Sequence, residues 1–592
     1  MKVIQVMFDT LRRDYLGPYG AEDMITPNFD RLAQKTVQFD NFYAGSLPCI
    51  PARRELHTGR YNFLHRGWGP VEPFDDSMPE ILKNNGIYTH LVTDHKHYWR
   101  DGGSTYHPRY NSYEFIRGQE GDSWKPVVEK NVGKMEGLEK LNAEGKKRKE
   151  TSISQDFINR RYMPHEADHP LYRTVESGLD FLKENKDSDQ WFLQIECFDP
   201  HEPFFVPRKY LDMYGVPEEF DGWLTYTYDD FTPEKREIIK GYYKALITMC
   251  DTYLGKVLDY MDEYNLWDDT MLIVNTDHGF LLGEHEWWGK NIMPLYNEIS
   301  HLPFFIWDPV INKKNERQNG LAQTIDIPAT ILDFFNIDQP SDMMGRSLKN
   351  LMKEDSINHE AVLFGYFGSN INLTDGEYVY MRAPEPNSED LLYEYTLSPM
   401  RINRRFTPNE LSDVSLDDSF SFTKGLSVLK VKSKDIMAKN YQRFGNKLFN
   451  LVDDPKQQSP LRDPAKELEI IKKMKELLEE NDAPKELYQY YGLDKIHGEE
   501  DVIREHEILD KQREVFLNGL TFNDSGVKEG YVTLINLIKD AEKKEALKNH
   551  FNAISQGNSI HSKDILEWIE RYVDTNDQSF FFYQTNLSMR LD

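Results

Sequence analysis

Four apolar runs in this chain end in side chains that can bind a metal or move a proton. Run 3–8 stops at Asp9, and run 88–93 stops at Asp94-His95-Lys96-His97. Run 191–195 leads to Asp199-Pro200-His201, and run 271–275 leads to Asp277-His278-Gly279. Carboxylate and imidazole together ligate divalent cations, and imidazole can also transfer protons near neutral pH. A fifth segment adds sulfur: Cys49 is followed four positions later by Arg53, which a helix places on the same face. An Asp at a strand end is more often a turn or cap residue than a ligand. Repetition at four strand ends makes a single site, assembled from distant sequence, the better reading.

Such a site needs a scaffold that brings strand ends together. Short apolar runs separated by helical segments, here 78–85 and 175–184, read as buried parallel strands. In open α/β sheets the loops beyond the strands' carboxyl ends converge and hold ligands. The expected fold is α/β: a large mixed, mostly parallel sheet flanked by helices. Near Asp375 the pattern changes, and Glu377-Tyr378-Val379-Tyr380-Met381 alternates as an antiparallel strand would. Asp463-Pro464 is a helix start, with Asp as N-cap and Pro at the first helical position. Leu468, Ile471, Met474 and Leu478 then share a face until Ala483-Pro484 closes the helix. The expected organisation is a catalytic α/β domain at 1–374, a smaller α+β subdomain at 375–492, and an acidic, amphipathic-helical extension at 493–592. The extension carries no chemical motif, and subunit contact or helical packing is its expected use, so a homo-oligomer is expected. Segment 129–149, rich in Lys and Glu, reads as an exposed insertion.

A chain of 592 residues is too long for one core. Its formal charge of −28 repels nucleic-acid backbones and anionic membranes, so neither is an expected partner. An anionic substrate would need a locally basic pocket. Three cysteines cannot build a disulfide framework, which fits a reducing compartment. The N-terminal apolar run is too short for a signal peptide and no run approaches a membrane span. A cytoplasmic location is expected.

The segment Cys49-Ile50-Pro51-Ala52-Arg53-Arg54-Glu55-Leu56-His57-Thr58-Gly59-Arg60 resembles the signature of the formylglycine-dependent sulfatases. Their core commonly reads Cys-x-Pro-Ser-Arg, and Ala52 stands here in place of the Ser. Asn275-Thr276-Asp277-His278-Gly279, with Gly283-Glu284-His285 and Gly289-Lys290 after it, resembles the same family's metal turn and the run that follows it. Asp199-Pro200-His201-Glu202-Pro203-Phe204 resembles its Pro-His-x-Pro-Phe. Phe449-Asn450-Leu451-Val452-Asp453-Asp454-Pro455 resembles a strand and turn near the end of many members.

The resemblance implies an alkaline-phosphatase-superfamily hydrolase that cleaves sulfate esters. A maturation enzyme would convert Cys49 to formylglycine, whose hydrate is the nucleophile. Asp9, Cys49, Asp277 and His278 would hold one divalent metal, calcium by family precedent, with the imidazole admitting manganese or zinc. Arg53 and Lys290 would meet the sulfuryl oxygens, and His201 the leaving-group oxygen. Arg54 and Arg60 read equally well as solvated surface groups, and His285 as a loop-packing residue. Tyr98, Trp99, Trp287 and Trp288 could wall a pocket, although aromatics beside motifs are usually core.

Two departures matter. Most members have a second Asp after the first, where this chain has Thr10; that removes a hard anionic ligand. Where members carry Gly-Lys-Trp-His, this chain has Thr93-Asp94-His95-Lys96-His97-Tyr98-Trp99. One register puts Asp94 and Lys96 at the functional positions, and a one-residue shift puts His95 and His97 there. Proton chemistry favours the two histidines. Thr10 also resembles the non-carboxylate of the phosphonate monoester hydrolase and phosphodiesterase branch, so a small phosphonate or phosphate ester is the alternative substrate. A binding protein that keeps the scaffold and loses the modification is a third reading.

Overall fold

Strand β1 (Lys2–Phe8) is buried along its whole length because it is covered on both faces. Ile4, Val6 and Phe8 pack into one apolar layer, and Val3 and Met7 into another, as the two-residue period of a strand requires. The computed structural model describes residues 1–128, 143–217, 224, 226–228, 231–354, 356–386, 388–433, 441, 444–508 and 545.

β1 lies inside an eight-stranded sheet. In chain order its strands are β1, β2 (Val37–Phe39), β3 (Tyr88–Thr93), β4 (Ser112–Phe115), β5 (Trp191–Cys197), β6 (Thr270–Asn275), β7 (Phe304–Trp307) and β8 (Glu316–Gln318). The spatial order is β8-β2-β7-β6-β1-β5-β3-β4. β6, β1, β5, β3 and β4 are mutually parallel, and β7 pairs antiparallel with β6 and β2. The mixed, mostly parallel sheet expected from the sequence is present. Helices α1 (Pro27–Lys35), α4 (Pro170–Asn185) and α5 (Pro233–Glu263) supply one layer, with Phe29, Leu179 and Leu254 in its core. Helices α2 (Cys49–Thr58), α3 (Met78–Asn84) and α6 (Asp326–Phe334) supply the other, with Leu56, Leu82 and Ile331.

A second sheet orders β12 (Lys447–Asn450), β11 (Tyr378–Arg382), β10 (Ile371–Thr374), β9 (Val362–Tyr366) and the short strand Ser46–Leu47. Helix α7 (Pro464–Glu480) covers it through Ile470, Ile471, Met474 and Leu478. Asp463 caps α7, its side chain accepting from the Lys466 N–H at 3.0 Å. The division placed at residue 374 is corrected here. β10 and β11 pair directly across it, so the smaller sheet begins at Val362 and borrows Ser46–Leu47 from the region just before Cys49. That last pairing is parallel and nonlocal, which hydrophobic periodicity does not reveal. Of the extension expected at 493–592, only 493–508 and 545 are described, and 499–508 are helical. Most of segment 129–149 lies outside the described residues; a helix runs from Ala143 to Arg160.

Candidate active site

Helix α2 begins at Cys49, and all ten of its side chains are buried. Its anchor is Glu55, whose carboxylate accepts from the Ser46 N–H at 2.5 Å and the Thr324 hydroxyl at 2.8 Å. The helix is thereby tied to the borrowed edge of the second sheet. Gly45 lies so close that a Cβ there would stand 2.4 Å from the Glu55 carboxylate, so a larger residue would push Glu55 off its two donors.

Arg53, one turn along α2, reaches back beneath Cys49. Its guanidinium donates to Asp9 Oδ2 at 2.8 Å, Asp277 Oδ2 at 2.6 Å, Glu196 Oε1 at 2.8 Å and the Cys49 carbonyl at 2.9 Å. Arg53 therefore organises the three strand ends of β1, β5 and β6 around the head of α2, using the planar fork that lysine lacks.

Cys49 Sγ is 3.2 Å from His278 Nε2, which is in turn 3.5 Å from Asp277 Oδ2 and 3.9 Å from Asp9 Oδ1. His278 Nδ1 donates to the Gly279 carbonyl at 2.9 Å, leaving the Nε2 lone pair directed inward. Ligand atoms of Asp9, Cys49, Asp277 and His278 all lie within 4.8 Å of one another. Donor separations of this size are the edges of a coordination shell with bonds of about 2.0–2.5 Å. The donor set also fits electrostatically. Burial and the neighbouring Asp277 raise Asp9 well above the usual carboxylate range. Burial raises Asp277 too, but His278, Arg53 and Lys290 outweigh it and hold that carboxyl low. Burial pushes His278 down to about 3, against the pull of Asp277, so it is a neutral donor. Crowded carboxylates beside a neutral imidazole suit a divalent cation. Burial and Asp9 push the Cys49 thiol up, so an unmodified Cys49 is a weak nucleophile.

Lys290 also faces the cluster, close enough to Cys49, Asp9 and Asp277 to feel their charges. Its ammonium is 3.1 Å from the Thr10 hydroxyl and 3.5 Å from Glu202 Oε2. Burial disfavours its charge, but Cys49, Glu202, Asp9 and Asp277 more than compensate, and it stays protonated. Thr10 holds the left-handed conformation (φ 67°), its N–H donates to Asp277 Oδ1 at 3.1 Å and its hydroxyl donates to Asp9 Oδ1 at 2.6 Å. Strained backbone of this kind persists where the surroundings fix it. His201 stacks on Phe198 with ring centroids 4.1 Å apart and presents Nδ1 to Glu202.

His95 is buried and His97 half-buried, with ring centroids 5.0 Å apart. Among the described residues, both His95 nitrogens and His97 Nδ1 have no hydrogen-bond partner. Burial pushes both pKa values well down, Arg53 adding to the effect at both. Asp94 points elsewhere: it accepts from the Phe198 N–H at 2.7 Å and from Gln119 Nε2 at 2.9 Å, and the same Gln119 nitrogen donates to Asp199 at 2.7 Å. Lys96 is ion-paired with Glu120. His95 packs 5.4 Å from the ring of Phe198, on which His201 also stacks.

Residues 2–337, more than half of the chain, match the family model for sulfatases. This chain belongs to the sulfatase family. An arylsulfatase from Clostridium perfringens (strain 13 / Type A) is 26% identical to it over 379 residues, covering 60% of this chain and 78% of that one. The multifunctional alkaline phosphatase superfamily protein PehA from Trinickia caryophylli is 25% identical over 427 residues, covering 60% and 77%. The fold is that of the phosphonate monoester hydrolase of Agrobacterium radiobacter, with a TM-score of 0.52, 18% identity, and 77% and 90% of the two chains covered.

The sulfatase site includes residues that sequence reasoning passed over. Glu196, the last residue but one of β5, takes Arg53 on one oxygen, and on the other the Tyr98 hydroxyl at 3.0 Å and Gln194 at 3.1 Å. Its signal was the polar pair Gln194 and Glu196, two apart on one face of an otherwise apolar strand. Glu202 and Tyr226 were passed over too; the Tyr226 hydroxyl donates to Glu202. Arg54 and Arg60 are buried, a correction to the solvated reading. Arg54 donates to Asn62 Oδ1 and the Gly67 carbonyl at 2.7 Å each, and Arg60 lies 3.9 Å over the Phe422 ring. His285 packs structurally, stacked on Tyr296 at 3.6 Å. Trp287 and Trp288 are core, and Trp99 is half exposed on the outside. Among the described residues, no helix is long and apolar enough to cross a membrane.

Proposed function

We propose that this sulfatase cleaves a sulfate ester using residue 49, oxidised from cysteine to formylglycine by a maturation enzyme. The observation that carries the reading is the position of Cys49 at the head of a buried helix, 3.2 Å from His278 and gripped from below by Arg53. A divalent cation held by Asp9, Asp277, His278 and residue 49 would supply Lewis acidity and positive charge beside the nucleophile. Calcium is the ion by family precedent, and the imidazole admits manganese or zinc.

The chain's own residues then do the following work. One hydroxyl of the hydrated aldehyde, deprotonated, attacks sulfur in line with the departing alcohol. Lys290 meets charge on the non-bridging oxygens, and Arg53 holds the nucleophile's main chain and its carboxylate neighbours in place. His201 gives a proton to the alcohol as it leaves, with His95 and His97 available for hydrogen bonds on the same side. Loss of the proton from the second hydroxyl expels sulfate and restores the aldehyde. A serine could not release sulfate by this elimination, which explains the need for a geminal diol.

A second reading, hydrolysis of a phosphonate monoester or phosphodiester, draws on Thr10 in place of a second Asp and on the likeness to a multifunctional superfamily member. One experiment separates the readings. Protein matured with an active formylglycine-generating enzyme is checked by mass spectrometry of the Cys49 peptide, then assayed on aryl sulfate, phenyl phosphonate and bis-aryl phosphate. An aldehyde with dominant aryl sulfate turnover is expected. Dominant phosphodiester turnover would install the second reading, and an intact thiol with no turnover would leave a scaffold that only binds.

A further inference from the structure

Glu202 is a carboxylate where an anion-binding site has least use for one. It is buried, with 4% of its surface exposed, and faces the same space as Lys290. Desolvating a carboxylate is costly unless specific partners repay it. Its partners are telling: Oε2 lies 3.1 Å from His201 Nδ1 and 3.5 Å from Lys290 Nζ, and Oε1 accepts from the Tyr226 hydroxyl. The Glu202 carbonyl also accepts from His201 Nδ1. Both acceptors therefore sit on one edge of the imidazole, and Phe198 fixes the plane of the ring. Among the described residues, Nε2 of His201 has no protein hydrogen-bond partner.

We infer that Glu202 is a positioning residue for leaving-group departure, holding His201 by Nδ1 so that Nε2 faces the alcohol oxygen of the ester. The inference rests on His201 being the proton donor proposed above. As the S–O bond breaks, its electron pair goes to the alcohol oxygen and the Nε2 proton follows. The imidazole is left neutral with Nδ1–H still on Glu202, which takes no proton, and solvent reprotonates Nε2 between turnovers. Burial and Lys290 pull the His201 pKa well below the imidazole's ordinary value. A carboxylate behind the ring fixes its tautomer and opposes that shift, so the arrangement helps most where the departing oxygen is most basic.

The test is the dependence of turnover on the leaving group. Glu202→Gln keeps the shape of the side chain and removes its charge. Steady-state constants are measured for nitrophenyl, phenyl and alkyl sulfates with Glu202→Gln, His201→Asn and the parent enzyme. For Glu202→Gln, kcat on nitrophenyl sulfate should fall by less than about threefold and on an alkyl sulfate by about a hundredfold, the scale of general-acid assistance. Equal losses across the series, or none, would overturn the inference if His201→Asn still shows the steep dependence. If His201→Asn shows no such dependence, the reading of His201 fails and the inference falls with it. Glu202→Asp keeps the charge but withdraws the carboxylate by one methylene. It should steepen the series in the same direction and serves if Glu202→Gln does not fold.

Discussion

Cys49 Sγ and His278 Nε2 approach to 3.2 Å although 229 positions separate them in the chain. The imidazole is held by its other nitrogen on the Gly279 carbonyl, so it offers a lone pair and not a proton. Nitrogen is a softer donor than carboxylate oxygen, and manganese and zinc depend on it more than calcium does. His278→Ala should therefore weaken manganese or zinc binding by more than about tenfold and calcium binding by less. Calorimetric titration of chelator-treated protein measures both. A chelator should also abolish turnover of the parent enzyme, with recovery on adding back the ion.

Arg53 is the next point of sensitivity. It faces three buried carboxylates at 2.6–2.8 Å. An ammonium cannot span Asp9, Glu196 and Asp277 at once, so Arg53→Lys leaves at least one of them without its partner. Breaking a buried ion pair from one side costs about 3–5 kcal/mol. Denaturant unfolding of Arg53→Lys should show a loss on that scale, partly restored by saturating metal. Turnover should drop even in the metal-restored protein.

Much of this site was legible because each acid or histidine follows an apolar run directly, and because Cys49 and Arg53 are one helical turn apart. What escaped reading was set by nonlocal pairing. Glu196 looks like the end of a buried strand until Arg53 is placed beside it, and Glu202 looks like a spacer between His201 and Pro203. Arg54 looks like surface until the Gly67 carbonyl and Asn62 are folded over it. The boundary at 374 failed for the same reason: β10 carries no mark showing that it pairs with β11 and not with the large sheet. Side-chain type reports local preference, but a partner from a distant strand decides its use.

Thr10 offers a gain-of-function test. Its backbone is fixed by the hydrogen bond to Asp277, and its side chain already lies against Asp9 and Lys290. Asp tolerates the left-handed conformation better than Thr, so Thr10→Asp should be accepted there. It would add a hard anionic oxygen to the donor set, the chemistry that calcium prefers. Calcium affinity of Thr10→Asp should rise by about tenfold or more, in line with the dependence of such sites on ligand charge. An unchanged affinity would mean that Lys290 captures the new carboxylate.

The anchor of α2 should leave a signature in the pH dependence of stability. Burial raises the Glu55 carboxyl to about 8, against hydrogen bonds from Ser46 and Thr324 that favour its ionised form. In the unfolded chain the same group titrates near the ordinary 4.5. Between those values the folded protein binds the proton and the unfolded chain does not. The contribution of Glu55 to stability is therefore full below pH 4.5 and is lost as pH rises to 8. Buried neutral histidines act in the opposite sense on the acid side. His57, pushed to about 3, and His169, to about 4, lose stability as pH falls below the imidazole's ordinary 6.5. From pH 6.5 to 8 these histidines are silent and the raised carboxyls dominate. Glu55→Gln removes the one that anchors α2 and should reduce the fall in stability over that interval by up to about one proton's worth of slope. Chemical denaturation of both proteins at several pH values, with metal held saturating, measures it directly. An unchanged slope would mean that Glu55 is ionised in the native state and that its two hydrogen bonds outweigh burial.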